Sequence, residues 1–329
     1  PSDDQIVHTV KPGESVSLIC IDYYGYYSDS LGKAVRELNP AIRNIDLIIA
    51  GQKIIFRKPI ERTVERTAVS GAPAGSPPAQ PPAAAGETVL FEKKVSVTQG
   101  VVTCVDGTAE WSRSASAPLA PLKINTIVVP GTVIKTGRNG RVEIIINRES
   151  VVRIRENSRV VLEAFRSPAG NDKTRVGCGV GAIWTKMKKF RDRVSRFELE
   201  LPTAIAGVHG TVYETSVGAD SAAEVKVFSG EVAVRNAPPR PVTPIDAAGV
   251  SEVAGPHEVA APQEVSIEQW TRIVGAMQKL SIDKNGKAAA PVAFEAATGS
   301  DWEQWNRRRD ERIAPIFGEP EAGSEGRQR

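Results

Sequence analysis

Between Phe91 and Asn236 the chain runs through one short alternating segment after another, each cut off by Gly or Asn. Arg141 to Asn147, Ser150 to Arg155 and Ser158 to Arg166 follow directly, with turn residues at Asn139-Gly140, Asn147 to Glu149 and Glu156-Asn157. Strands that close together leave no length for crossover helices, so this stretch is expected to be all-β: a meander, a barrel or a solenoid-like coil. A period of two puts Val142, Ile144 and Ile146 on one side and Glu143, Ile145 and Asn147 on the other, one face apolar and one mixed. Glu198 and Glu200 alternate in the same way and read as a solvated face.

The rest of the chain divides around that body. Its 329 residues allow about two domains. Composition marks a compact unit at 1–58, a Pro/Ala-rich linker at 59–88, the β domain at 89–236, a Pro/Ala-rich extension at 237–265 and a helical tail at 266–329. Thr67 to Glu87, dominated by Ala, Pro and Gly, has nothing with which to build a core and reads as an extended spacer. In the first zone Val7 to Val10 alternates as a strand and stops at the turn pair Pro12-Gly13. Ser15 can cap a helix with Val16, Ile19, Cys20 and Tyr23 on one face; Ser30 can cap a second with Leu31, Ala34, Val35 and Leu38. Asn39-Pro40 ends that helix, because the residue before proline is pushed out of the helical region. Lys53 to Phe56 is a second strand, which completes a small α+β unit of βααβ order, marginal on its own at this size. In the tail, Ser266-Ile267-Glu268-Gln269 fits a capping box for a helix with Ile267, Trp270, Val274 and Met277 on one face. Ser300-Asp301-Trp302-Glu303 repeats the signal ahead of Trp305 and Ile313, and Arg307-Arg308-Arg309 reads as a solvated helix end.

Four stretches of the first zone carry a recognisable pattern: His8-Thr9-Val10-Lys11-Pro12-Gly13-Glu14-Ser15, Tyr24-Gly25, Leu38-Asn39-Pro40, and Asp46-Leu47-Ile48 leading to Gly51-Gln52-Lys53-Ile54. In order and spacing, residues 6–57 resemble the LysM family; the dense run Tyr23, Tyr24, Tyr26 and Tyr27 departs from it. The resemblance implies a βααβ fold that binds the N-acetylglucosamine glycan of peptidoglycan or chitin in a shallow groove between two loops. Those loops are Pro12, Gly13, Glu14 and Ser15, and Ala41, Ile42, Asn44, Asp46, Leu47 and Ile48. Backbone groups freed at Pro and Gly would bond acetamides, while Ile42 or Ile48 would meet methyls and sugar faces. For Gly13 and Pro40 the turn itself is the favoured reading.

A second pattern lies in the β domain. Phe197 to Leu201, the small-residue run ending Gly207-Val208-His209-Gly210-Thr211, the strand Val212 to Val217, the pair around Ser229-Gly230, and Pro130 to Gly137 look like the FecR domain of bacterial periplasmic proteins, over about residues 95–236. The family's Gly-Val-Arg-Gly-Thr segment has His209 at the arginine position, which puts in doubt any role of the guanidinium's fixed fork. The resemblance implies a periplasmic all-β module known from transmembrane regulators that relay iron-uptake signals to sigma factors. No apolar run here reaches membrane length, so a scaffold or partner-binding role is expected instead of the relay. A phosphate loop at Gly207 to Thr211 is disfavoured: the P-loop lysine is missing and no helix follows.

Chemistry-bearing motifs are few. Cys20, Cys104 and Cys178 form neither a disulfide framework nor a metal spacing; Cys20 reads as a buried thiol, and Cys104 and Cys178 could pair. His8, His209 and His257 stand in no HExxH-type context, and no paired-carboxylate motif marks a glycosidase cleft. No catalytic activity, metal or cofactor is expected. A net charge of +3 without a basic stripe argues against nucleic acid. The polar start Pro1-Ser2-Asp3-Asp4 suggests a secreted chain with its signal peptide removed. The expected protein is thus a non-catalytic bacterial envelope protein that grips peptidoglycan glycan strands and holds an envelope protein partner on its FecR-like body. The alternative is a periplasmic component of a FecR-type signalling system that uses its N-terminal unit for localisation only. Trp302 and Trp305 dock either on the chain's own β domain, the favoured reading, or on another envelope component.

Overall fold

The computed structural model describes residues 3–60, 91–93, 99–165, 174–188, 197–208, 210–237, 270–295 and 300–317. The linker from 61 onward, the extension from 238, the Ser266 cap, His209, His257 and the tail beyond 317 lie outside the described residues.

Strand β1 (Gln5–Thr9) leads into helices α1 (Val16–Tyr24) and α2 (Asp29–Leu38), and β2 (Lys53–Arg57) returns antiparallel to β1 with Val7 opposite Ile55. Ser15 caps α1, its Oγ accepting from the Leu18 amide, and Gly25 at φ 85° ends it in the left-handed conformation that glycine adopts without strain. The α2 cap is Ser28, not Ser30: Ser28 is extended and its Oγ accepts from the Leu31 amide at 3.1 Å. That choice leaves Asp29 in the first turn, where its charge complements the helix dipole. Asn39 then ties the helix to the sheet, its amide donating to the Val35 and Ile55 carbonyls and its Oδ1 accepting from the Ile55 amide. Of the predicted face of α1, Val16, Ile19 and Cys20 are buried and Tyr23 is half-buried, but Leu18, Ile21 and Tyr24 around it are buried as well. A helix apolar on every side must be covered on every side. Its own sheet covers one flank, while Val101, Ile145, Val151 and Ile313 from the rest of the chain join the same core.

The body is one continuous curled sheet of seventeen described strands. In order they are β3 (Gly100–Asp106), β4 (Ala109–Ser112), β5 (Ala120–Pro121), β6 (Ile127–Val128), β7 (Val133–Thr136), β8 (Arg141–Ile146), β9 (Ser150–Ile154), β10 (Arg159–Ala164) and β11 (Thr174–Met187). After these come β12 (Phe197–Glu200), β13 (Ala204–Val208), β14 (Val212–Val217), β15 (Ala223–Ser229), β16 (Val232–Asn236), β17 (Thr271–Val274), β18 (Gln278–Ile282) and β19 (Val292–Ala293). The chain changes layer about every two strands: β8–β9 and β14–β15 lie in one, β12–β13 and β16–β17 in the other. Strand β11 serves both, pairing with β10 through its first half and lying between β9 and β14 through its second. It turns at Gly181, φ 100°, where a Cβ would collide with Ser158. The core between the layers is a single cluster that includes Val142, Ile144, Ile146, Val152, Leu199 and Val225.

Two expectations need correction, the first tail helix and the solvated face at Glu198. In its described part, from Trp270 onward, the helix expected over Ser266 to Met277 is replaced by β17 and the turn into β18, strands that extend the two layers by pairing with β16 and β15. The apolar spacing there was compatible with a helix, but two open sheet edges offer more backbone pairing than an isolated turn, and Met277 sits at φ 58°. The face of β8 that reads as mixed is covered as well: Glu143 and Ile145 are as fully buried as the apolar face. Glu198 is buried too, with Arg175 at 3.6 Å and Arg235 at 3.9 Å. Cys20, Cys104 and Cys178 are free thiols; Cys178 lies in the main core and Cys104 on the opposite face of its layer beside the tryptophan cluster, so the two do not meet. The expected second tail helix is present as α3 (Asp301–Phe317), capped by Ser300, whose Oγ accepts from the Glu303 amide.

Candidate functional site

The seam where the N-terminal unit, the β body and α3 meet is built from one row of side chains. Cross-strand register aligns Cys104 of β3 with Glu143 of β8, Arg153 of β9, Trp184 of β11 and Glu214 of β14. Register partners share a face, so these five stand side by side on the outside of the sheet. Helix α3 lies over them. Arg309 donates from Nη2 to Glu143 Oε1 at 2.6 Å and from Nε to Oε2 at 3.2 Å. Arg153 donates from Nε to Glu143 Oε2 at 2.9 Å and from Nη1 to the Asn306 carbonyl at 3.0 Å, and pairs with Asp310 at 2.6 Å. Thr103 donates to Glu143 as well. Burial alone would push the Glu143 carboxyl up; the guanidiniums of Arg309 and Arg153 outweigh it and hold the pKa at about 2. Trp302 and Trp305 stack with ring centres 5.3 Å apart and are buried with Trp184. The tryptophans therefore dock on the chain's own sheet, and Arg309 is no solvated helix end, although Arg307 and Arg308 are exposed.

The two loops assigned to glycan face this seam in part. The Gly13 carbonyl accepts from Arg309 Nη1 at 2.5 Å, and Ser15 is buried as the cap of α1. Glu14 turns back on its own strand, accepting from the Lys11 amide at 2.7 Å and meeting His8 Nε2 at 2.8 Å. Burial raises its pKa, but His8 and Lys11 bring it below the ordinary carboxylate value. Ile42 belongs to the core of the unit, so it offers no wall to a sugar, and Ile48 is half-buried. Asp46 accepts from the side-chain amide of Asn125 at 2.8 Å. Asn125 in turn accepts from the Ser17 amide at 2.9 Å, so one carboxamide from the β body bridges the first turn of α1 and the second loop. It does so from a left-handed backbone, φ 66°, which Asn tolerates better than most residues. Pro12, Ala41, Asn44 and Leu47 remain exposed. Nothing in the sequence pattern singles out Asn125.

The run Gly207, Val208, His209, Gly210, Thr211 is a corner between layers. Val208 ends β13 in one layer and Val212 begins β14 in the other. Gly210 makes the turn at φ 71°, and Thr211 is buried against Gly230, whose own φ is 81° and whose missing Cβ leaves room for Thr211 and the Gly210 carbonyl. The small residues serve topology, as Ala204 and Ala206 do by sitting fully buried between strands. His209 lies outside the described residues.

Residues 132–233 match the model of the FecR family, described as FecR protein. The match runs from β7 to the start of β16 and begins later than the resemblance placed it, leaving β3 to β6 outside. No curated protein matches the chain. Two crystal structures of anti-sigma factor candidates from Parabacteroides distasonis ATCC 8503 are similar at 15% and 12% identity, with TM-scores of 0.35 and 0.36. The alignments cover 52% and 56% of this chain and 64% and 74% of theirs.

Proposed function

We propose that this chain is a non-catalytic, partner-binding component of a FecR-type regulatory system in the bacterial periplasm or cell envelope. The observation that carries this reading is the FecR match over residues 132–233, which takes in the whole centre of the β body. The way the body is built supports it: the N-terminal unit and α3 are seated on its outer face through a shared core, so the three present one continuous surface to a partner. Deleting the gene and profiling transcription tests the proposal. Loss of a specific transcriptional response supports it; an unchanged transcriptome with only a mechanical envelope defect counts against it.

A second reading, peptidoglycan binding by the N-terminal unit, is favoured by the βααβ order of that unit and by Leu47, 74% exposed at the tip of its second loop. Co-sedimentation with insoluble peptidoglycan decides it. The comparison to make is the full chain against a Leu47→Asp, Asn44→Ala variant, because removing the unit would lay bare Val101, Ile145 and Val151. Equal pelleting of both, or of neither, counts against this reading.

A further inference from the structure

A cleft of about 690 Å³ opens between α2 and the segment that links β4 to β7. Its volume is in the range of pockets that hold a specific ligand. One wall is a stripe of α2: Asp29, Gly32, Lys33 and Arg36, spaced i, i+3, i+4, i+7 and so on a single helix face. Gly32 leaves room for the Tyr27 side chain, whose hydroxyl a Cβ there would strike. The opposite wall carries Arg113 and Lys123, with the half-buried ring of Trp111 and the side chains of Ile124 and Ile127 between them. Asn125 and Asp46, bonded to each other, lie in the same lining and join the walls.

Lys33, Arg36, Arg113 and Lys123 are all exposed, and none has a carboxylate within ion-pair distance among the described residues. Of the two carboxylates in the lining, Asp46 is engaged by Asn125, which leaves Asp29 against four cations. The positive charge is divided two and two between walls, with apolar surface between. Such a layout does not converge on one small anion. It suits a chain of alternating carboxylates and apolar groups, and the two turns of α2 from Asp29 to Arg36 span about 10 Å, the reach of about three extended residues.

We propose that this cleft is a docking site for an acidic, amphipathic peptide segment of a partner protein. The inference rests on the reading of the chain as a partner-binding regulator and names the chemistry by which the partner is held. Carboxylates pair with Lys33 and Arg36 on one side and with Arg113 and Lys123 on the other, while an apolar side chain covers Trp111.

The probe is a fluorescein-labelled octapeptide alternating glutamate with leucine or phenylalanine, titrated by anisotropy against the full chain. Binding is expected, weakened by raising salt from about 50 to about 300 mM. Lys33→Glu with Arg113→Glu, one change on each wall, is expected to weaken it about tenfold or more. Arg272→Glu with Lys284→Glu makes the same change in net charge at exposed positions outside the cleft and is expected to stay within about twofold. Equal weakening by both pairs, or no binding by the unaltered chain, overturns the proposal. So does displacement by polygalacturonate of a probe that the Lys33→Glu, Arg113→Glu variant binds as well as the unaltered chain. If that variant, with an unchanged melting temperature, loses the peptide but still restores the transcriptional response to a deletion strain, the cleft is not the partner site and the regulatory reading stands.

Discussion

Arg309 of α3 closes on Glu143 of β8 across 166 positions of sequence, with two hydrogen bonds to a carboxylate that no water reaches. The same guanidinium holds the Gly13 carbonyl, so one C-terminal side chain fastens the N-terminal unit, the β body and its own helix together. Buried pairs of this kind add little over an apolar packing of equal volume, but losing one partner is costly because the other stays charged and out of water. Arg309→Met is therefore expected to lower unfolding free energy by about 3 kcal/mol. Glu143→Met in the same chain should recover part of that loss, with a coupling of about 1–3 kcal/mol in a urea-denaturation double-mutant cycle. Additive effects of the two substitutions would show that the pair is not coupled.

Acid should find this joint early. The Glu143 pKa is depressed from 4.5 to about 2 in the folded chain. A depressed carboxylate contributes stability that is fully present above its unfolded value and disappears as pH falls toward the folded one. The window is therefore about pH 4.5 down to about 2. The urea midpoint is expected to fall between pH 5 and pH 3, and to fall less steeply in a Glu143→Gln chain, which starts lower and has no charge there to lose. Parallel slopes in the two chains would assign the acid sensitivity to other carboxylates.

Trp302 and Trp305 together fill the contact between α3 and Trp184, with the Arg141 guanidinium 5.8 Å from the Trp302 ring. Trp302→Ala is expected to cost about 3–5 kcal/mol, in the range of other large-to-small changes at buried aromatics. Because the helix also covers Glu143 and Arg153, the loss should be cooperative, seen as a red shift of tryptophan emission at the same denaturant concentration as the loss of secondary structure. Unchanged stability would mean that the tryptophans do not anchor α3.

Residue periodicity made the strands legible wherever each had its own turn signal. Asn139-Gly140, Asn147 and Asn157 mark real corners, Asn147 and Asn157 at φ 52° and 55°. The Ser15 and Ser300 caps were readable for the same reason: a cap is a local bond between a hydroxyl and an amide three residues on. What periodicity cannot report is what lies over a face. Glu198 alternates like a solvated residue and Glu143 stands on a mixed face, yet both are buried, because their cover comes from α3 and from strands distant in the chain. A usable signal was present in α1, where Leu18 and Ile21 contradict a one-sided helix, and in the tyrosine run, where Tyr26 and Tyr27 are buried in the core shared with the body. The sequence around β17 and β18 carries a helical spacing because a few apolar residues fit a helix and a strand about equally well until partners are known.

Asn125 shows how much one unremarkable residue can join. Its carboxamide accepts from the Ser17 amide and donates to Asp46, stitching the first turn of α1 to the loop before β2 through a segment of the body. Alanine there would remove both bonds and strain a backbone at φ 66°, so the cleaner substitution is Asn125→Gly, which tolerates that φ and removes only the side chain. The Ser17 amide would be left buried without an acceptor, at a cost of about 1–3 kcal/mol. Hydrogen exchange at Ser17 should accelerate markedly, while amides in β12 and β13, which belong to the main core, keep their protection. Acceleration confined to Ser17 and its neighbours identifies Asn125 as a local clasp. Equal acceleration across the N-terminal unit and the body would instead make it a determinant of global stability, and unchanged exchange at Ser17 would mean that the clasp does not form in solution.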